Sequence, residues 1–144
     1  MSTAHTVRIP ASLRRRLGAT LYDGLLLLAI WMSIALVTIV LTDALSLPRP
    51  PELMRGLLVA GAFGFFGWSW THGGQTLGGR AWKLRVETPD GGPINWPTAM
   101  LRFAAGITWF PLGMIWSFSS EDRRALHDVI AGTRVVKVME GDPS

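Results

Sequence analysis

The chain has 144 residues, a formal charge of +4, only 17% charged residues and no cysteine. That is room for one domain, and it excludes disulfides and thiolate metal sites. A soluble domain normally carries about 25% charged residues. With 49% hydrophobic residues here, the surplus positive charge reads as affinity for anionic lipid headgroups rather than for nucleic acid, since no nucleic-acid motif accompanies it.

In chain order, residues 1–20 form a basic lead-in. Pro10, Ala11 and Ser12 precede a helix-favouring stretch that Ser12 can cap. Arg16 and Asp23 are seven residues apart, so a continuous helix places both on one face. Gly18 and Ala19 between them let a neighbour approach closely. Residues 24–42 then carry no charge, a length that crosses the roughly 30 Å hydrocarbon core of a bilayer. The run is too long for the apolar part of a signal peptide and no A-x-A-like site follows it, so it is expected to stay in the mature protein.

A proline-rich connection at 47–51 ends this span. The second apolar segment covers 53–71. Its Gly56, Gly61, Gly64 and Gly67 predict a smooth packing stripe, and Trp68 and Trp70 an exit at the membrane interface. The other tryptophans are read as interface anchors too. Residues 73–79 are a glycine-rich turn. They lack the Lys-Ser/Thr end of a phosphate loop. Residues 83–88 alternate as a strand with one buried face, 89–93 are a turn, and 94–96 fit a short return strand.

The third apolar segment covers 97–120, with Arg102 in its first turns and Gly106, Pro111 and Gly113 interrupting it. Ser119 and Asp122 match a capping box. Leu126, Val129 and Ile130 make one apolar helix face, and Gly132 is a helix stop. Residues 133–138 predict a last strand, and 141–144 a frayed end. No internal repeat is present.

Lys and Arg favour the cytoplasmic side. Arg8, Arg14, Arg15 and Arg16 lie before the first span. Arg80, Lys83 and Arg85 lie in the second connection, and Arg123, Arg124, Arg134 and Lys137 in the tail. All three groups share a side only if the third segment turns back, with Pro111 and Gly113 dividing it into two half-helices. The strands at 83–88 and 133–138 pair only under the same condition. Non-helical backbone at that depth must be buried in protein, which a homo-oligomer would supply.

Four motifs add a resemblance. Arg16…Asp23, GQTLGGRAWKLRV at 74–86, Arg102, and RALHDVIAGTRVV at 124–136 stand in the order of the RDD family of membrane proteins. Together they span residues 14–138, and the chain resembles that family over this core. Gly79 departs from it, standing where the family often has lysine. The resemblance implies transport of a small cation or protons. The rival reading is a non-transporting scaffold or accessory subunit that holds a membrane partner protein.

Asp23 is the leading site candidate, because ionisable groups at membrane depth are costly and commonly functional. Arg16 or Arg102 can neutralise it, which makes either a cation or proton site or a structural ion pair. Arg55 is expected to snorkel to the outer interface. His127 can titrate near neutral pH. Neighbouring residues on a helix point about 100° apart, so His127 and Asp128 do not form one site. Asp128 alternatively caps a helix or bridges to a nearby basic strand, with His127 at headgroup level. Three histidines far apart in sequence predict no metal site. With no nucleophile–base pair, neither enzymatic activity nor a cofactor is expected. The predicted fold is an all-α polytopic membrane domain of the bacterial inner membrane with a cytoplasmic N-terminus. It has two transmembrane helices, a third apolar segment that turns back or crosses once, and a small cytoplasmic β element.

Overall fold

A computed structural model describes residues 7–119 and 126–139. Its longest element, α1 (Leu13–Ala44), follows the basic lead-in directly. Ser12 occupies the N-cap position with extended dihedrals, but its side chain makes no capping bond. Thirty-two residues rise about 48 Å, well beyond the hydrocarbon thickness. The excess lies at the start, where Ala19 and Asp23 are buried. Beyond it most of the helix is bare: Leu25 is 62% exposed, Met32 65% and Leu36 63%. No part of its apolar window is buried inside the protein. A core helix of a soluble protein would hide that surface. The side chains instead match what lipid covers.

The 47–51 prolines do end α1, and Pro51 opens α2 (Pro51–Thr71) at its first turn, where a missing N–H costs nothing. The expected glycine stripe divides. Added carbon at Gly61 would strike Ile34 of α1, and at Gly67 it would meet Trp96 at 3.0 Å. Gly56 and Gly64 face open space. The contact on the other side of α2 is aromatic: Phe63 and Phe66 pack on Phe103, with centroids 5.3 and 6.4 Å away.

The glycine-rich turn leads into α3 (Leu77–Ala81) and β2 (Leu84–Glu87). The return strand expected at 94–96 does not form. Asn95 accepts a hydrogen bond from the Thr98 N–H at 3.0 Å, an N-cap arrangement, and α4 (Trp96–Ser119) starts there. The break expected at Pro111 and Gly113 is absent as well, since α4 runs continuously for 24 residues. An apolar environment explains this. Without water to take up freed backbone groups, a helix tolerates proline and glycine better than it tolerates opening. In the next element, α5 (Leu126–Ile130), Asp128 meets Arg102 of α4's second turn. Asp122 of the expected capping box, and residues 141–144, lie outside the described residues.

β3 (Arg134–Met139) is the middle strand of an antiparallel sheet of order β1-β3-β2. Its partner on one side is β2, with Val86 opposite Val135. On the other is β1 (Val7–Pro10), with Ile9 opposite Lys137. The lead-in thus holds a strand that its basic composition conceals. The sheet gathers the chain's beginning, centre and end on one face, so α1 leaves that face and α2 returns to it. Two small buried clusters sit beneath it: Ala11, Ala19 and Leu84, and then Val86, Ile94 and Ala99.

Candidate functional site

Two buried carboxylates organise the sheet end of the helices. Asp128 is fully buried. Its helix is stopped by Gly132 at a φ of 61°, and the Thr133 N–H donates back to the Asp128 carbonyl at 2.8 Å. This turns Asp128 inward and leaves Val129 and Ile130 exposed, the reverse of the apolar face expected for this helix. Arg16 Nη1 donates to Asp128 Oδ2 at 3.0 Å. Arg102 Nη1 donates to Oδ1 and to Thr133 Oγ1 at 2.6 Å. The Arg102 guanidinium also lies 5.0 Å from the centroid of the Trp70 ring, within cation–π range. One carboxylate therefore ties α1, α4 and α5 together. Both arginines keep a buried Nε–H that has no hydrogen-bond partner among the described residues.

Asp23 is held differently. The Thr76 hydroxyl donates to its Oδ2 at 2.5 Å and the Gly78 N–H to its Oδ1 at 2.8 Å. Thr76 Oγ1 in turn accepts from the Gly79 N–H at 2.9 Å, capping α3. A side chain at Gly78 would collide with the Ala19 carbonyl and the Asp23 carboxylate, so glycine is needed for this close approach. Gly18 likewise makes room for the Trp82 indole. The glycine-rich turn is thus a cradle for a carboxylate of α1. A third buried acid, Glu87, receives Arg134 Nε at 2.9 Å and Nη2 at 2.8 Å across the β2–β3 pair.

A cavity of about 490 Å³ opens where α1, α2 and α4 meet the sheet. Arg16, Asp23, Arg85 and Arg102 give it a polar end, and residues such as Leu27, Trp31, Phe66 and Ile107 an apolar remainder.

Of the residues singled out by sequence, Arg16, Arg102 and Asp128 are brought together. Asp23 lies on the same cavity, yet it is met by Thr76 and Gly78 rather than by either arginine. Asp128 reaches Arg16 of α1 and Arg102 of α4. His127 lies in α5, and its side chain is outside the described residues. Arg55 is exposed, in the first turns of α2. Trp70, expected at the interface, is tucked beneath Arg102. Trp68 is 60% exposed and stacked on His72. Among the described residues no group of acids and histidines could hold a metal ion. Sequence reasoning missed Thr76, Gly78, Thr133 and Glu87. The cap spacing of Thr76 and Gly79 is the signal that was present for the first pair.

A bare apolar helix long enough to cross a membrane, joined to a buried polar cluster at one face, is in keeping with a membrane protein. The chain belongs to the RDD family, a family of membrane-associated proteins, whose model matches residues 10–132. It is similar to an uncharacterized protein of Rickettsia prowazekii (strain Madrid E), 41% identical over 71 residues, covering 47% of this chain and 39% of the relative. It is also similar to the uncharacterized protein YckC of Bacillus subtilis (strain 168), 36% identical over 77 residues, covering 48% of this chain and 51% of the relative. The matches thus span about half or less of the length of these curated relatives. No solved structure matches the chain.

Proposed function

We propose that this RDD-family protein is a membrane-embedded binding module whose working part is the cavity at the sheet end of α1, α2 and α4. The cavity carries the reading. Its volume of about 490 Å³ lies in the usual range for small-molecule sites, and so does its lining, mostly apolar with a few convergent polar groups. The arginine–aspartate cluster behind it serves as the rigid support that such a site needs. In a scaffold without a ligand, the same space would be a packing defect beside a costly set of buried charges.

The test is thermal unfolding of the purified protein in neutral detergent, with and without total lipid and polar extracts of the host membrane. A rise of several degrees is expected, by mass action on the folded state. Gly24→Leu should abolish that rise, because Gly24 lines the cavity with open space beside it.

Transport of a small cation or protons is a second reading, favoured by one observation: the wall of this cavity includes a buried carboxylate, Asp23. Three arginines on the same wall oppose cation entry. Liposomes holding the protein should therefore show no Na⁺ or K⁺ movement against an imposed pH gradient. Flux that disappears in Asp23→Asn would instead establish the carrier.

The face that carries the sheet is proposed to be cytoplasmic, in a multi-pass arrangement in the bacterial plasma membrane, because Arg8, Arg85, Arg134 and Lys137 all fall on its strands. A reporter fused after Ser144 should be active only inside the cell.

A further inference from the structure

We infer that the cavity takes the anionic headgroup of a membrane lipid at its arginine end, with an acyl chain lying along its apolar wall; this rests on the binding-module reading above.

Charge makes the first argument. Arg16 and Arg102 share one carboxylate, Asp128. Both are largely withdrawn from water, with side chains 13% and 4% exposed. Among the described residues, two guanidiniums on one carboxylate leave a positive charge over, and a buried charge without a counter-ion is strongly disfavoured. The other charged groups on the wall do not correct this. Asp23 already accepts from Thr76 and Gly78. Arg85, from β2, adds a further positive charge, and α2 contributes the uncharged Phe66 and Trp70.

Hydrogen-bond chemistry makes the second. Arg16, Arg85 and Arg102 all line the cavity, and oxygens of an anionic headgroup are the acceptors that the planar guanidinium matches best.

Shape selects a lipid over a free anion. On α1 the cavity wall extends from Leu13 to Trp31, about 27 Å along the helix. Its charged side chains, Arg16 and Asp23, lie in the first part. Beyond Asp23 come Gly24, Leu27 and Trp31, faced by Gly106 and Ile107 of α4. Inorganic phosphate would occupy the arginine end and leave the apolar length empty. A lipid fills both ends, and α1 stands bare to the bilayer that supplies it.

The experiment is native mass spectrometry of the full chain, released from neutral detergent after equilibration with equal amounts of phosphatidylglycerol and phosphatidylcholine. One phosphatidylglycerol per chain should be retained, preferred by about tenfold, the worth of one bond to a charged group. Gly24→Leu and Gly106→Leu should lose it. At both positions an added side chain meets open space, and leucine favours a helix over glycine, so these variants fold. Arg16→Gln should reduce the preference between the two lipids. Equal retention of both lipids, lost on filling the cavity, would keep the binding module and overturn the anionic headgroup. Phosphatidylglycerol retained unchanged in the filled variants would mark lipid outside the cavity and overturn the inference. Thermal stabilisation by inorganic phosphate with no lipid retained would assign a free anion and overturn the lipid. Neither lipid nor phosphate bound, with no response to membrane extracts, would remove the binding module as well.

Discussion

Asp23 and Asp128 are two aspartates buried at the same end of the helices, and the fold satisfies them by opposite means. Asp128 is gripped by charge, with a guanidinium on each oxygen drawn from a different helix. Asp23 is gripped by dipoles, a hydroxyl and a backbone N–H from a turn 53 to 55 residues away. Charge holds elements together at the cost of leaving buried cations if the acid is lost. Dipoles demand a close backbone approach, and glycine supplies it. A carboxylate near a membrane therefore says little about its task until its partners are known.

Substitutions can break or sharpen this contrast, each read by thermal unfolding in detergent. The largest effect is expected for Asp128→Asn. It strands two buried guanidiniums and should cost about 3–5 kcal/mol, while replacing Arg16, Arg102 and Asp128 together by apolar residues of similar volume should recover much of that loss. Gly78→Ala comes next. Its methyl group would press on the Ala19 carbonyl and the Asp23 carboxylate, and overpacking of this kind costs about 1–3 kcal/mol. Asp23→Asn should cost less than Asp128→Asn, about 1–2 kcal/mol: the amide oxygen still accepts from the Gly78 N–H, but the amide nitrogen cannot accept from the Thr76 hydroxyl, which loses its acceptor. A cost equal to that of Asp128→Asn would erase the distinction between the two acids. Smallest is Lys83→Gly. Lys83 has a φ of 55° before β2, a conformation that costs side chains more than glycine. A gain below about 1 kcal/mol is expected, with neither acid affected.

The sequence made the helices legible where lipid is the only solvent. The charge-free run at 24–42 and the prolines at 47–51 locate α1 and the start of α2, because length and proline geometry act locally. Strands β2 and β3 and the stop at Gly132 were equally readable. What failed depended on distant partners. Val7–Pro10 reads as a basic tail until β3 arrives beside it. The segment at 94–96 resembles a strand until Asn95 caps a helix. Pro111 looks like a break until the environment denies the backbone any other partner. In the site, the acids and arginines stood out by their cost, but not who holds whom. Arg16 shares a helix face with Asp23, and its choice of Asp128, 112 residues away, follows from tertiary packing alone.

The position of β3 between β1 and β2 has a consequence for biogenesis. Val7 pairs with Met139, so β1 waits for a strand made long after it. At about 5–20 residues per second that delay is on the order of ten seconds, during which both outer strands present unpaired edges, and such edges invite wrong partners. Ribosome-stalled chains that stop short of Arg134 should therefore be protease-sensitive at β1 and β2 together, and become resistant at both in a single step once β3 is released.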